Sequence, residues 1–490
     1  MSDATSYDPY AMPADAIQDP PETLWKALRK IGPGIILAGS IVGSGELIAT
    51  TTLGADLGFM FLWLILFSCV IKVFAQIELG RVAISSGKPT LGFLNELPGW
   101  RWRAHWQVWW WFFMLLATVA QMGAMVGSVG QALNLAFPGF GQWAKEVCGG
   151  ESSTIGRVLI DHPEHPWAIV TALAAAALLL SGGYLMIERL TTFLVVSITF
   201  ITVACVIALP AKYAISLPDL ISGFNFSYPP DVDIKYRADA IGKAFAVFGM
   251  TGVGAAELYS YPYWCLEKGY ARFVGPQSSD PAWARRANGW MRVMHLDAWV
   301  SMVVFTLATV SFYFLGATVL HREDMHPHGK DLMGQLANMY VKVFGEWTWG
   351  LFLIGGSAVL FKTLYVASAG HSRLSSDFFN MAKFVRCENA HARWRLVRFF
   401  CVFYPLLALS VYLVVGEPRG MVTFGGFAQG ITLPVIAGAT VYLRYRKTDP
   451  RVAPSRVSDF FLWVAFVLLT IFAAKALWDE GAKWLAALSG

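Results

Sequence analysis

Two short stretches of this chain share an order of residues that could hold a cation or a small charged solute. One reads Gly43-Ser44-Gly45-Glu46-Leu47. The other reads Gly254-Ala255-Ala256-Glu257-Leu258 and follows Gly249-Met250-Thr251-Gly252. Both lie inside long apolar runs. Closely spaced glycines weaken a helix, and in lipid a broken helix persists only where its freed backbone groups face protein, ions or water. A carboxylate at mid-bilayer costs about 2.5 to 3.5 kcal/mol on insertion scales, so each glutamate needs a partner. Glu46 and Glu257 are therefore the candidate cation ligands, with Gly43, Ser44, Thr251 and Gly254 offering carbonyl or hydroxyl oxygens. A competing reading has the glycines serve close helix packing while the glutamates pair internally. Recurrence of the glutamate beside a break favours the binding site.

Such elements need a membrane to position them. Of 490 residues, 56% are hydrophobic and 14% charged, too little charge for the surface of a soluble protein of this size. Apolar runs bounded by charge, Pro and Gly predict spans near 31–53, 59–84, 107–136, 167–187, 192–210, 240–263, 293–319, 347–371, 399–416, 422–443 and 459–478. The expected fold is an all-α polytopic membrane protein of about 11 transmembrane helices, with helices 1 and 6 broken. The two elements sit five spans apart, as when a five-helix unit is duplicated with inverted topology and the site forms where the first helices of each half meet. The repeats would run from about 31–210 and 240–443 within a membrane domain of 31–480, with 459–478 as an extra helix.

Residues 1–30 would be a cytoplasmic N-terminal tail, of which Met1 to about Glu22 is polar, acidic and proline-containing, lacks the layout of a secretion signal and is expected to be disordered; 481–490 would be a short C-terminal tail. Alternating the loops from an inner N-terminus leaves about 24 Lys and Arg inside and about 12 outside, which places the chain N-in, C-out in the cytoplasmic (inner) membrane. Arg285, Arg286 and Arg292, then Arg393, Arg395 and Arg398, then Arg444, Arg446 and Lys447 are inner anchors rather than a nucleic-acid surface. The tryptophans at 100–111 and 347–349 fall at span ends, where amphipathic rings favour the headgroup layer.

Other polar groups inside the spans invite roles. Lys72 precedes Glu78 at a helical spacing that permits a pair. Lys362, deep in span eight, is placed to reach Glu46 or Glu257, and is a candidate coupling or gating residue together with Gln429. Span three offers Gln121, Met122, Met125 and Gln131 but no acid. Glu188 and Arg189 read as a boundary anchor or interhelical pair, and His295 and His371 as residues satisfied by neighbours. The outer loop holding His321, His326 and His328 with Glu323, Asp324 and Asp331 is rich in metal ligands, although its spacing is irregular. The six cysteines are scattered and imply neither disulfides nor a zinc site. No nucleophile motif or phosphate loop suggests an enzyme.

Read with their flanks, these segments resemble the Nramp family of divalent-metal transporters. The resemblance rests on Gly32-Pro33-Gly34, Gly54-Ala55-Asp56-Leu57-Gly58-Phe59, Gln76, Arg81, Ser86-Gly87-Lys88, Ile187-Glu188-Arg189, Ala369-Gly370 and Leu433-Pro434, and so covers most of the membrane domain. It implies a LeuT-type fold of 5+5 inverted repeats. Family metal sites are Asp-Pro-Gly-Asn in the first helix and Met-Pro-His-Asn in the sixth. Here Gly43 and Glu46 stand for the first Asp and Asn, and Gly254, Ala256 and Glu257 for the Met, His and second Asn. A thioether favours transition metals, so keeping carboxylates without it shifts preference toward hard ions, as in Nramp-related magnesium transporters.

The leading expectation is thus a secondary transporter that moves a divalent cation, Mg²⁺ or Mn²⁺, by alternating access without the family's usual proton coupling. No resident cofactor is expected; the cation is cargo, and Na⁺ is a candidate coupling ion. An amino acid or other organic solute is the alternative within transport, favoured if Lys362 neutralises a glutamate. An ion channel or non-transporting sensor is the alternative of another class. Lipid is the expected partner, and the chain would be a monomer or homodimer.

Overall fold

A computed structural model describes residues 10–225 and 239–489, with side chains through 482. Nine helices are long and apolar enough to cross a membrane. Two bent pairs, Pro33–Ile41 with Gly45–Leu57 and Thr154–Asp161 with His165–Ser181, raise the count to eleven among the described residues. All eleven expected spans have a counterpart: the first pair, then Leu62–Ser86, Trp106–Ala136, His165–Ser181, Tyr184–Ile207, the interrupted Ala240–Lys268, Pro281–Glu323, Thr348–Met381, Ala390–Val415, Pro418–Arg446 and Arg456–Ser489. The architecture is the LeuT-type pair of five-helix repeats with broken first and sixth helices.

Burial separates core from periphery. In span two 72% of the most apolar window is enclosed by protein, against 22% in span five and 28% in span eleven, whose Phe193, Phe200 and Phe460 face outward. Apolar side chains exposed this way suit lipid rather than water. Span three packs on spans eight, nine and ten, and span two packs on spans six and seven, so the broken helices run between two groups.

Each break has a local cause. In span one the chain leaves helical geometry at Val42 (ψ 80°) and continues through a wide turn at Gly45–Thr50, where the Thr50 and Thr51 hydroxyls donate to the Gly45 and Glu46 carbonyls at 2.9 and 3.0 Å. Those hydroxyls satisfy groups that the widened turn frees. In span six Thr251 is extended and Gly252 has φ 64°, a left-handed conformation in which a Cβ would lie 2.8 Å from Cys69 Cα. Only glycine suits that position. Asp297 of span seven accepts from the Gly32 and Gly34 amides at 2.8 and 2.6 Å, fixing the start of span one.

Three expectations change here. The N-terminal stretch is not free from Tyr10 onward: the Gln18 amide donates to Phe273 O at 3.0 Å, Trp290 Nε1 donates to Gln18 O at 2.9 Å, and Arg393 bonds the Tyr10 hydroxyl. Residues 1–9 of the expected tail lie outside the described residues. The 481–490 tail continues the last helix to Ser489. Lys72 does not reach Glu78, because Arg81 takes that carboxylate at 2.9 Å one turn on.

Candidate functional site

Glu257 lies in the first turn of Ala255–Lys268, immediately after the span-six break. Ser40 of span one donates to its Oε1 at 2.7 Å. Its carboxylate borders a cavity of about 30 Å³ walled by Ser40, Gln121, Met122, Met125, His371 and Gln429, among others. That volume accommodates about two waters or a partly hydrated ion, not an amino acid. A chain of amides closes one wall: Gln429 Oε1 accepts from the Ala256 amide at 3.2 Å, Gln429 Nε2 donates to Gln121 Oε1 at 2.9 Å, and Gln121 Nε2 donates to Ser44 Oγ at 3.1 Å. Spans one, three, six and ten are thereby tied together around the cavity.

Glu46 is placed differently. Its carboxylate accepts from the Gly43 amide at 3.2 Å and from the Thr309 hydroxyl of span seven at 3.2 Å, fully enclosed and outside the cavity wall. The expected pair of acidic ligands is therefore divided. Thr251 meets Thr50 at 3.4 Å on the same enclosed side. Gly43 serves close approach, since a Cβ there would fall 2.0 Å from the Thr363 hydroxyl. Gly254 is the N-cap of the second half-helix, with its Cα hydrogens toward Gln429 and Glu257 oxygens.

Lys362 does not bond either glutamate; its Nζ donates to Val42 O at 2.6 Å. Lys72 Nζ likewise donates to the Phe248 and Thr251 carbonyls at 2.5 and 2.7 Å. His371, expected to be satisfied by neighbours, has a buried Nδ1 without a hydrogen bond and lines the cavity with Glu257. Ser40 and His371 are the site residues the sequence reading missed. Ser40 lies six residues before Glu46 within the same span, and His371 follows the Ala369-Gly370 match, so proximity to quoted motifs was the available signal.

The histidine loop at 321–328 turns out to be a clasp. His326 bridges Asp56 and Asp324 at 3.1 Å each, His321 Nδ1 bonds Ala55 O at 2.8 Å, and His328 Nδ1 bonds His326 O at 2.5 Å. Asp56 also holds Lys243 at 3.1 Å and Arg419, joining the ends of spans one, six and ten. Glu323 accepts from Lys212 and from the Tyr213 hydroxyl. Away from the breaks, His162, Glu164 and His165 bring ligand atoms within 4.8 Å. Their two rings stack in parallel with centroids 4.5 Å apart, so they cannot both aim in-plane lone pairs at one ion as placed. Glu188, near the start of span five, pairs with Lys268 at the end of span six at 2.5 Å, and His295 of span seven contacts Arg81 at 3.1 Å.

Comparison with known proteins agrees with this fold. The family model described as natural resistance-associated macrophage protein-like (Nramp) matches residues 34–479. An uncharacterized protein of Pasteurella multocida (strain Pm70) is 22% identical over 495 residues, covering 99% of this chain and 100% of its own. Among solved structures, the Eremococcus coleocola manganese transporter in complex with an aromatic bis-isothiourea substituted compound superposes with TM-score 0.66 at 13% identity, over 96% of this chain and 89% of that one. A mutant of the same transporter gives TM-score 0.63 at 13% identity, over 99% and 92%. At this identity the structural likeness speaks for the fold, while the match across nearly the whole membrane domain establishes that the chain belongs to the Nramp family.

Proposed function

We propose that this protein is a secondary transporter of a divalent metal cation, Mn²⁺ or Mg²⁺, that alternates access around the cavity at the span-six break. The observation that carries the reading is Glu257, an acidic side chain on a water-sized cavity between broken helices. A cation there meets one carboxylate, the Ser40 hydroxyl, the Gln121 and Gln429 amides, and the N-terminal end of a half-helix only indirectly. Met122, Met125 and His371 add two thioethers and an imidazole from spans three and eight. Loss of the family thioether at Gly254 argued for Mg²⁺; soft and borderline donors supplied by other spans move the preference back toward Mn²⁺.

Two lysines and two glutamates in the break region cancel formally, which favours an organic or monovalent substrate on charge alone. As it stands the cavity holds about two waters, which suits a partly hydrated ion better than an amino acid. Family membership and the manganese transporter among the structural relatives support a metal. The Asp56 clasp would close the side opposite the N-terminal segment, with that segment inside and the C-terminus outside in the cytoplasmic membrane. Gln429, hydrogen-bonded to span three and to the span-six break, is the residue that senses movement of one helix group against the other.

The test is uptake by reconstituted liposomes. Saturable Mn²⁺ or Mg²⁺ flux that Glu257→Gln abolishes is expected; uptake of labelled amino acids without metal flux would overturn the proposal. A current that does not saturate would instead make the chain a channel.

A further inference from the structure

Each helix break also holds a buried lysine on the backbone; neither lysine lines the cavity beside Glu257, although Thr363, next to Lys362, does. The first half of span one, Pro33–Ile41, ends at Val42, whose carbonyl accepts from Lys362 Nζ at 2.6 Å. The adjacent Thr363 hydroxyl, which donates to Val359 O of its own helix at 3.0 Å, lies 3.4 Å from both the Gly39 and Val42 carbonyls. The first half of span six, Ala240–Met250, ends at Thr251, and the Phe248 and Thr251 carbonyls accept from Lys72 Nζ at 2.5 and 2.7 Å. Ser68, one turn from Lys72, donates to the same two carbonyls at 3.2 and 2.8 Å. Both lysines are fully buried, and neither has a carboxylate within 4.0 Å among the described residues.

The chemistry of the two places is the same: carbonyls at the C-terminal end of a half-helix, one hydroxyl from a neighbouring span, and one ammonium. Carbonyls at a helix C-terminus carry partial negative charge. In transporters with discontinuous helices, unwound carbonyls and half-helix C-termini form the oxygen sets that take small monovalent cations. An ammonium on a four-carbon stem is a compact point charge with three donors, suited to replace such an ion. It cannot leave.

We propose that Lys362 and Lys72 are tethered cations that fill the monovalent-cation positions at the two breaks. The protein then holds both breaks together without bound Na⁺, and its transport is independent of Na⁺. Removing the Lys362 side chain leaves the Val42 carbonyl and Thr363 hydroxyl around a space that takes Na⁺ or a small primary ammonium. This inference deepens the transport reading by excluding Na⁺ as coupling ion, and rests on that reading only for its flux measurement.

The experiment compares purified wild type, Lys362→Ala and Lys362→Met by thermal unfolding in about 100 mM choline, sodium or methylammonium chloride. Lys362→Ala should gain about 3 °C or more in sodium or methylammonium, while wild type and the apolar Lys362→Met variant change little. An equal response from all three proteins, or stabilisation of wild type by Na⁺, would overturn the proposal. Should Lys362→Ala fail to fold in every salt, Lys72→Ala is read in the same way, and no cation response there overturns it. In liposomes, wild-type Mn²⁺ uptake should match in sodium and choline, whereas Lys362→Ala should lose about tenfold in choline and regain it with methylammonium. A wild type without metal flux would defeat the transport reading and leave the unfolding result to stand by itself.

Discussion

Glu257 begins a half-helix with one carboxylate oxygen held by Ser40 and its edge on a water-sized cavity, whereas Glu46 is locked between the Gly43 amide and the Thr309 hydroxyl. Both occupy the same place in the Gly-x-x-Glu-Leu pattern. What differs is how each break is made. Span six stops at Met250, runs extended through Thr251 and restarts at Ala255, so Glu257 lies in a fresh first turn. Span one passes through a wide turn at Gly45–Thr50 that carries Glu46 toward span seven. A shared motif thus marks where a membrane helix opens; the geometry of the opening decides which carboxylate meets the cavity.

The contrast can be broken by substitution, and the largest effect should come from Glu257→Gln. Losing the charged ligand should cut metal flux by about 10- to 150-fold in liposomes, since hydrogen bonds to charged groups are worth about 1.5 to 3 kcal/mol each. Gly252→Ala should be next, through stability: a Cβ against the Cys69 backbone at positive φ predicts a loss of about 3 kcal/mol or failure to fold, read by thermal unfolding. His371→Ala should weaken Mn²⁺ uptake about tenfold and Mg²⁺ uptake less, because an imidazole favours the transition metal. Glu46→Gln should change stability by less than about 1 kcal/mol, since the amide oxygen can accept from the Gly43 N–H and the NH2 can donate to the Thr309 hydroxyl, while metal affinity stays within about threefold. Ser40→Ala should show the smallest change, about three- to fivefold in affinity, from loss of one bond that orients Glu257.

Much of the fold was legible because span length and apolar runs are one-dimensional signals. All eleven spans, and both breaks, could be read from runs, glycines and charge. The site was less legible because hydropathy locates a residue along the membrane normal and says little about its direction around the helix. Lys72 was matched to Glu78 by helical spacing, yet Arg81 is nearer that carboxylate and Lys72 turns to span six. Lys362 was expected to reach a glutamate and reaches a carbonyl that exists only because span one breaks at Val42. Composition makes the 321–331 loop rich in metal ligands with irregular spacing, and does not show that the partner of His326 is Asp56, some 270 residues away in sequence. The stretch 10–22 reads as solvated in sequence because the contacts of Tyr10 and Gln18, to Phe273, Trp290 and Arg393, are all distant in the chain.

The most direct test of the division between the two glutamates is Mn²⁺ binding to purified protein, followed by the loss of the free-ion paramagnetic resonance signal. The account predicts saturable binding to wild type and to Glu46→Gln with similar affinity, and none to Glu257→Gln. Equal loss in both variants, or loss in Glu46→Gln alone, would contradict it.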